Sequence, residues 1–329
     1  MRFNTLRFCC IALLVVSSVG PIVARPAFDD AKERVFHFTY AGSVKAAPGQ
    51  TVRVWLPMPP NSEDQKVSVV KKQLPGQAQT GRESKYGNEI WYFEAKANDQ
   101  GLVPFSVTYQ VHRREVRADW QNNIQRNDDA ALFLKPDRKV PIDGKPLKLI
   151  EGKELPEDQV KLARLLYDVV NQHMRYSKEG TGWGQGDSSW ACDSKYGNCS
   201  DFHSLFISLA RSQKIPAKFE MGFPLPDGRG DGVIPGYHCW AKFKPKGRNW
   251  IAVDISEANK NPNMKEYYFG NLTENRVTFS VGRDLTLVPK QAGPELNFFI
   301  YPYAEVDGQP VAADKIEKRF SYADVATGK

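Results

Sequence analysis

The chain has 329 residues and a formal net charge of +7, with 45 Lys and Arg residues against 38 Asp and Glu residues. Hydrophobic residues make up 41% of the sequence, which is ample material for a core, and the length predicts two domains. The positive charges are scattered in runs of at most two, so they give no support to a nucleic-acid-binding protein.

Residues 1–24 are typical of a secretory signal peptide. Arg2 and Arg7 are followed by an apolar run that is too short and too early to span a membrane, and then by small residues. Cys9 and Cys10 lie inside this run rather than after a small-residue lipobox, so a lipid anchor is not expected. We therefore predict an exported protein, periplasmic or secreted, without a membrane anchor after removal of the signal.

Residues 30–118 are predicted to form a β-sandwich. The segment VPFSVTYQV alternates between apolar and polar residues, and NEIWYFEA and TVRVWLP have the composition of strands. The alternating apolar residues that would share one face are Val103, Phe105, Val107, Tyr109 and Val111. Residues 119–153 are polar and contain several prolines, which indicates a connector to a second domain.

Residues 154–290 are predicted to form this second, mixed domain. It begins with a helix after Pro156, and the glycine-rich segment KEGTGWGQGDSSW that follows is a loop of the kind that can line a site. Residues 291–329 supply further aromatic-rich strands and a tail. From about Ala312 this tail is polar, and we expect it to be partly helical or disordered.

A second helix is predicted to begin at Cys199. The apolar residues at i+3, i+6, i+7, i+10 and i+11 from it lie on one helical face, and Asn198 is a candidate N-cap. A thiol in this place lies at the positive end of the helix dipole, which lowers its pKa, and near free backbone N–H groups that can hold an oxyanion. The helix alone is equally compatible with a buried structural cysteine.

Two predicted strands, GYHCWAKF and NWIAVDI, flank a turn centred on Lys246. In a symmetric antiparallel hairpin about this residue, His238 lies opposite Asp254. Lys242 then lies opposite Trp250. A carboxylate facing the histidine orients the imidazole and stabilises its protonated form, as the third member of a Cys-His-Asp triad does. A slip of one residue would place the two side chains on opposite faces of the sheet.

The cysteine segment GNCSDFHSLFISLARSQKIPAKFEMGF and the two strands after it together resemble the transglutaminase-like superfamily of papain-like thiol enzymes, over residues 155–254. The resemblance implies an α+β core in which a cysteine-bearing helix packs on an antiparallel sheet. It also implies Cys199 as the nucleophile, His238 as the base and acid, and Asp254 as the orienting carboxylate. The preceding β-sandwich is similar to the domain often found before such cores in bacterial members.

The same resemblance implies acyl transfer from amide substrates through a thioester on Cys199. We expect water to be the acceptor, as in a cysteine peptidase or amidase acting on proteins or peptides, because exported bacterial relatives resemble proteases more than crosslinking enzymes. An amine acceptor would make the protein a protein-glutamine transglutaminase. A non-catalytic envelope binding module on the same fold is a third alternative. No cofactor and no metal are expected.

Other roles stay open for residues near the predicted nucleophile. His203 lies four residues after Cys199 and could act as the base, although no carboxylate is placed beside it. An oxyanion hole would use the Cys199 backbone N–H and one further donor. The candidates for that donor are Asn198, Trp190 and Trp183.

The remaining cysteines allow two arrangements. Cys192 and Cys239 could form a disulfide in an exported protein, or they could stay reduced and buried. A zinc site made of Cys192, Cys199, His203, His238 and Cys239 is a weaker alternative. The sequence contains neither a Cys-x-x-Cys motif nor a close pair of histidines.

Overall fold

Three five-stranded antiparallel sheets organise the computed structural model, which describes residues 31–120 and 130–326. The predicted signal peptide at residues 1–24 lies outside the described residues. None of the described helices is long and apolar enough to cross a membrane.

The first sheet combines strands from distant parts of the chain. Its members are β1 (Glu33–Lys45), β3 (Gln65–Gln73), β6 (Leu102–Arg114), β10 (Asp231–Ile234) and β17 (Ile316–Asp324). The strand order is β10-β17-β1-β6-β3. The five alternating apolar residues predicted on β6 are all buried, so this strand prediction is confirmed. The polar tail contains a 3-10 helix at Ala313–Lys315, as expected of a partly helical segment, but its residues Ile316–Asp324 form a strand between β1 and β10 rather than a disordered end.

The second sheet packs on the first and completes a β-sandwich. Its strands are β2 (Thr51–Pro57), β4 (Gln79–Arg82), β5 (Glu89–Lys96), β15 (Tyr303–Val306) and β16 (Gln309–Pro310), in the order β16-β15-β2-β5-β4. Phe93 of β5 and Phe105 of β6 meet across the two sheets, with ring centroids 6.4 Å apart. Burial of such inward-facing rings is what holds two sheets together.

The third sheet belongs to the second half of the chain and carries the predicted histidine. Its strands are β9 (Ala217–Pro224), β11 (His238–Phe243), β12 (Ile251–Val253), β13 (Phe269–Gly270) and β14 (Arg276–Val281), in the order β13-β12-β11-β9-β14. A short parallel pair is formed by β7 (Arg175–Tyr176) and β8 (Tyr196–Gly197).

The described residues contain four α-helices, of which α3 packs on the third sheet: α1 (Gln159–His173), α2 (Ser188–Ser194), α3 (Cys199–Ser212) and α4 (Ile255–Lys260). Short 3-10 helices lie at Ala130–Leu134, Lys145–Leu149, Pro262–Met264 and Ala313–Lys315. Every residue of α3 from Cys199 to Arg211 is buried, which makes it the central helix. The predicted α+β class, with a cysteine-bearing helix packed on an antiparallel sheet, is confirmed.

An aromatic core joins the first and third sheets. Phe223 of β9 lies 4.4 Å from Phe320 of β17 and 5.1 Å from Phe38 of β1, measured between ring centroids. Phe279 of β14 contacts the same group at 5.2 Å from Phe223. Strands from the start, middle and end of the chain therefore share one buried cluster, and the third sheet is held rigidly on the sandwich.

Candidate active site

The N-terminus of α3 is fixed by a capping box, in which two side chains satisfy the free backbone donors of the first turn. The Asn198 side chain accepts a hydrogen bond from Ser200 N at 2.9 Å, and the Asp201 carboxylate accepts one from Asn198 N at 2.9 Å. Asn198 is thus the N-cap, as predicted. Cys199 is the first residue of the helix, where the backbone N–H has no acceptor within the helix.

Asp201 also holds the glycine-rich loop against this helix. Its carboxylate accepts hydrogen bonds from Gly184 N at 2.7 Å and Gly186 N at 2.9 Å. Both glycines have positive φ, which favours glycine at these positions. Burial raises the pKa of Asp201 to about 6, against the effect of the backbone donors. The loop is therefore anchored to the residue next but one to the thiol.

His238 and Asp254 form a buried pair. Nε2 of His238 lies 2.7 Å from Oδ2 of Asp254, and the carboxylate is fully buried. Oδ1 of Asp254 accepts hydrogen bonds from Ser256 Oγ at 3.2 Å and Glu257 N at 3.1 Å, so the same residue caps α4. The carboxylate is held by the start of one helix and presents its other oxygen to the imidazole.

The register predicted for the hairpin is wrong by two residues, although the predicted pair is present. Lys242 pairs with Ala252 rather than with Trp250. The turn is centred on Gly247, whose positive φ suits the bend, rather than on Lys246. A shift of two residues keeps each side chain on its predicted face. The carboxylate of Asp254, directly after β12, can therefore still reach the imidazole.

Cys199 and His238 interact through their side chains. Burial alone would raise the pKa of the Cys199 thiol. The hydrogen bonds from Cys239 and His238, together with the charge on His238, outweigh burial and lower it well below its ordinary value. Burial alone would lower the pKa of His238. The charge of Asp254 and its hydrogen bond to the imidazole outweigh burial and raise this pKa to about 10. These opposite shifts favour a thiolate–imidazolium ion pair at neutral pH.

His203 does not have a free nitrogen to act as the base. Nδ1 lies 2.8 Å from the carbonyl oxygen of Cys199, and Nε2 accepts the backbone N–H of Ile255 at 3.0 Å. These partners define a neutral ring protonated on Nδ1. Burial lowers the pKa of His203, which agrees with the neutral form. Its position therefore favours a structural role, joining α3 to α4.

The three cysteines of the described residues are all free thiols, and Cys192 does not pair with Cys239. Cys192 lies near the carbonyl oxygen of Lys145 at 3.5 Å. Cys239 contacts Ser200 Oγ at 3.8 Å and His203 Nδ1 at 3.7 Å, which places it beside the predicted nucleophile. Burial raises the pKa of both thiols. Of the two arrangements predicted for Cys192 and Cys239, the structure has the one with reduced thiols. The two thiols lie in different surroundings.

The five residues considered for zinc are not the group that the fold assembles. Among the described residues, the group with ligand atoms close enough to share an ion is His238, Asp254 and Glu257. Two of its carboxylates already bind cationic side chains, since Arg276 contacts Asp254 and Lys260 contacts Glu257. These cations occupy the carboxylate oxygens that a metal ion would need.

The candidate oxyanion donors lie around the start of α3. Nδ2 of Asn198 donates to the Tyr237 hydroxyl at 3.0 Å. Trp190 on α2 packs against the glycine-rich loop, and Trp183 Nε1 donates to the Gly180 carbonyl oxygen at 3.2 Å. In the sequence, the Cys199 N–H and the Asn198 amide are closer to the thiol than either indole is. All four stay predictions as oxyanion donors.

Two residues next to the site were missed from the sequence. The Tyr237 hydroxyl lies 2.9 Å from Ser200 Oγ, above the first turn of α3. Arg276 Nη1 donates to Oδ2 of Asp254 at 3.1 Å. Tyr237 could have been noticed as the neighbour of the histidine. No local pattern marks Arg276, because it reaches the site only through the pairing of β14 with β9.

A cleft of about 450 Å³ opens beside the histidine. Polar and charged side chains form most of its lining, including Lys178, Asp227, Glu257 and Asn275, and His238 and Tyr237 form part of its wall. Cys199 is 3% exposed and is not among the residues that line the cleft. The arrangement gives a substrate a polar approach to the histidine.

Comparisons with known proteins identify a similar family. The family model of the transglutaminase-like superfamily matches residues 148–255, a span that contains Cys199, His238 and Asp254. A protein from Haemophilus influenzae, named only as uncharacterized, is 28% identical over 369 aligned residues that cover 95% of this chain and 98% of that protein.

One solved structure is similar in fold. The crystal structure of a "putative cysteine protease" from Cytophaga hutchinsonii has a TM-score of 0.53 and 17% identity, covering 89% of this chain and 99% of that chain. The periplasmic domain of TgpA from Pseudomonas aeruginosa has a TM-score of 0.36 and 14% identity, covering 73% and 88% of the two chains. Over residues 148–255, this chain is similar to the transglutaminase-like superfamily, so the resemblance predicted from the sequence is confirmed.

Proposed function

We propose that this protein is a thiol-dependent acyl-transfer enzyme that hydrolyses amide bonds in proteins or peptides. The observation that carries the proposal is the buried chain of contacts from Cys199 to His238 and on to Asp254, with 2.7 Å between His238 Nε2 and Asp254 Oδ2. A thiol, an imidazole and a carboxylate in this order are the groups needed to make a nucleophile and to transfer its proton.

The first half of the reaction forms a thioester. The Cys199 thiolate attacks the amide carbonyl carbon, and the carbonyl oxygen becomes an oxyanion at the N-terminus of α3, where the Cys199 backbone N–H is available to it. The imidazolium of His238 then gives its proton to the leaving amine as the carbon–nitrogen bond breaks. The acyl group stays on sulfur, and neutral His238 keeps its contact with Asp254.

The second half returns the free enzyme. Neutral His238 removes a proton from water, the hydroxide adds to the thioester carbon, and collapse of the intermediate releases a carboxylic acid and the Cys199 thiolate. The polar lining of the cleft supports water as the acceptor, because the site next to His238 is bordered by groups that bind water well. An amine entering by the same cleft would give transamidation instead.

The first experiment measures whether the thiol is activated. The full chain is labelled with iodoacetamide across a pH series, and mass spectrometry locates the label. We expect Cys199 to label below about pH 7, where an ordinary thiol is mostly protonated, and we expect this selectivity to be lost in His238→Ala. Cys192 and Cys239 serve as internal references, since burial raises the pKa of both.

His173→Ala is the matched control for loss of a histidine, because His173 lies on α1 and contacts the carbonyl oxygen of Cys192 at 2.7 Å. It should leave Cys199 labelling unchanged. Labelling of Cys199 no faster than that of Cys192, with no effect of His238→Ala, would reject the proposal. The binding-module alternative would then take its place.

The acceptor is identified by a second experiment. An unfolded protein substrate is incubated with the enzyme in H₂¹⁸O with a fluorescent primary amine present. New carboxylates carrying ¹⁸O show hydrolysis, whereas incorporation of the amine without ¹⁸O shows transamidation. Cys199→Ala is the blank for both products.

Export is part of the proposal and rests on residues 1–24, whose two arginines and apolar run are typical of a signal peptide. Cell fractionation of the full chain tests it. We expect a shortened protein outside the cytoplasm, and a full-length protein confined to the cytoplasm would contradict the proposal.

A further inference from the structure

Arg276 begins β14 and is buried beside the carboxylate of the site, with 4% of its side chain exposed. Nη1 of Arg276 donates to Oδ2 of Asp254 at 3.1 Å. This is the same oxygen that lies 2.7 Å from His238 Nε2. One carboxylate oxygen therefore contacts both a guanidinium and the imidazole, so a movement of Arg276 would move the partner of His238.

The guanidinium is held in place from a second side by Trp240. Its central carbon lies 4.8 Å from the centroid of the indole, within the range of a cation–π interaction. The indole is itself fixed, because Trp240 Nε1 donates to Glu220 Oε2 at 2.8 Å. The ring of His238 lies 6.0 Å from the same indole. Arg276 and His238 are thus positioned by one shared platform.

Nε of Arg276 is buried and, among the described residues, makes no hydrogen bond. An unsatisfied buried donor costs free energy, so hydrogen bonding alone does not account for an arginine at this position. The positive charge of Arg276 does account for it. In the thiolate–imidazolium state, Cys199 and Asp254 carry two negative charges and His238 carries one positive charge, which leaves a net negative charge in a buried site.

Other titratable groups near the thiol and the carboxylate do not supply the missing positive charge. Burial keeps Cys239 and Tyr237 protonated and neutral by raising their pKa, and it keeps His203 neutral by lowering its pKa. Among the described residues, the remaining groups with electrostatic contact to Cys199, Asp254 or His238 are Asp201, Tyr176, Tyr301, Tyr167, Tyr268 and Glu257. None of these becomes positive, and Glu257 is paired with Lys260. The charge of Arg276 brings the sum over Cys199, His238, Asp254 and Arg276 itself to zero.

We propose that Arg276 is a positioning residue of the active site, which orients the Asp254 carboxylate towards His238 and balances the second negative charge of the ion-paired state. The role rests on the proposed function, since it concerns activation of Cys199. It goes beyond the Cys-His-Asp set because it assigns a fourth group, on β14, a strand that carries none of the other three.

The test is the pH profile of Cys199 alkylation in Arg276→Gln, with Arg276→Met as a second neutral variant that keeps an apolar stem over Trp240. Removing a positive charge raises the pKa of every nearby group that binds a proton. The acid limb of the profile should therefore move to higher pH by on the order of one unit. Arg276→Lys keeps the charge and should restore the limb to near its original position.

Arg34→Gln is the matched control. Arg34 is also a buried arginine paired with an aspartate, at 2.7 Å from Asp324, but it lies on β1 in the first sheet. This change should lower the melting temperature without moving the acid limb. A structural role alone for Arg276 would slow alkylation by the same factor at every pH, and that result would overturn the inference. The inference would also be overturned if the acid limb of the alkylation profile shifted as far in Arg276→Lys as in Arg276→Gln.

The outcomes also separate this inference from the proposed function. If wild-type Cys199 reacts as an ordinary thiol and His238→Ala changes nothing, the proposed function fails and the inference fails with it. If wild-type Cys199 is activated and the neutral variants fold with an unshifted limb, only the role of Arg276 is rejected. Asp201, with a pKa of about 6, is present in all variants and so does not contribute to the difference between them.

Discussion

Two buried clusters of charge meet at strand β11, one at His238 and one at Lys242, with Trp240 between these two residues. The first cluster is formed by His238, Asp254, Arg276 and Cys199. In the second, Lys242 lies 2.8 Å from Asp64 and 3.4 Å from Glu220 on β9. We call this second group, made of Asp64, Lys218, Glu220 and Lys242, the lysine cluster. Both clusters contain acids and bases in contact, but of the two only the first contains a thiol.

The lysine cluster is an ordinary set of matched charges. Burial opposes ionisation, but the neighbouring lysines outweigh it and lower the pKa of Asp64 and of Glu220 to about 2. Asp64 and Glu220 therefore stay ionised at physiological pH. In the proposed function of the site, by contrast, a thiol becomes charged by giving its proton to the neighbouring histidine. Buried charge by itself therefore indicates a structural role. A reactive site also needs a group that can gain or lose its charge next to an opening.

Asn substitution of one aspartate in each cluster should separate the two roles most strongly. Asp254→Asn removes the negative charge that keeps His238 protonated, and we expect amide hydrolysis to fall by roughly 10²- to 10⁴-fold. Asp64→Asn should leave hydrolysis within a few-fold of wild type. Steady-state rates on one peptide substrate, with circular dichroism to check the fold, make the measurement. Equal losses in the two variants would remove the distinction.

Acid should act first on the lysine cluster. The carboxylates of Asp64 and Glu220 have pKa values of about 2 in the folded protein, below their ordinary values. Between the ordinary pKa of a carboxylate and its lower pKa in the folded protein, the unfolded chain therefore binds more protons than the folded chain. The free energy of unfolding falls as the pH drops from about 4.5 to 2, by about 2 kcal/mol for each carboxylate. Urea unfolding at pH 7 and pH 3 measures this loss. Glu220→Gln should show a smaller loss, and an equal one would contradict the assignment.

Loss of one cation from the lysine cluster should destabilise the fold without changing the thiol. Lys242→Met leaves Asp64 and Glu220 with less compensation, and we expect the free energy of unfolding to fall by about 2 kcal/mol. The pH profile of Cys199 alkylation should stay unchanged. Urea unfolding and the labelling series measure the two quantities on the same sample. A shifted labelling profile would mean that the two clusters are coupled through Trp240.

The smallest expected effect concerns Cys239. Its side chain hydrogen-bonds the Cys199 thiol and helps to lower the pKa of that thiol. Cys239→Ala should move the acid limb of Cys199 alkylation upward by about a few tenths of a pH unit, since one neutral hydrogen bond is lost. Cys239→Ser keeps a donor and should move it less. A large loss of reactivity in both variants would instead give Cys239 a direct role.

The sequence was most informative where local periodicity determines structure. Alternation along β6 predicted its buried face, and helical spacing after Cys199 together with Asn198 predicted α3 and its cap. The pairing of His238 with Asp254 was predicted from a hairpin whose register was wrong by two residues. The two side chains still meet, because a shift of two residues leaves each side chain on the same face of the sheet. The bend position depends on loop geometry around Gly247, which pattern alone does not define.

Features that depend on distant contacts could not be predicted. Only three of the nine residues of β17 are buried, namely Ile316, Phe320 and Tyr322. Its sequence therefore reads as a polar tail, and only pairing with β1 makes it a strand. Arg276 reaches Asp254 because β14 pairs with β9, at a sequence separation of 22 residues. The domain boundaries stay predictions, and the first sheet draws strands from both sides of them.

The position of β17 between β1 and β10 has a consequence for biosynthesis. β10 leads into the segment that carries Tyr237 and His238, and among the described strands its sheet partner is β17. Residues 316–324 leave the ribosome long after residues 231–234, so β10 has no strand to pair with while most of the chain is being made. The strands of the third sheet, including β11 with His238, are all synthesised before β17, so the pairing of β10 is a late step that the third sheet does not need.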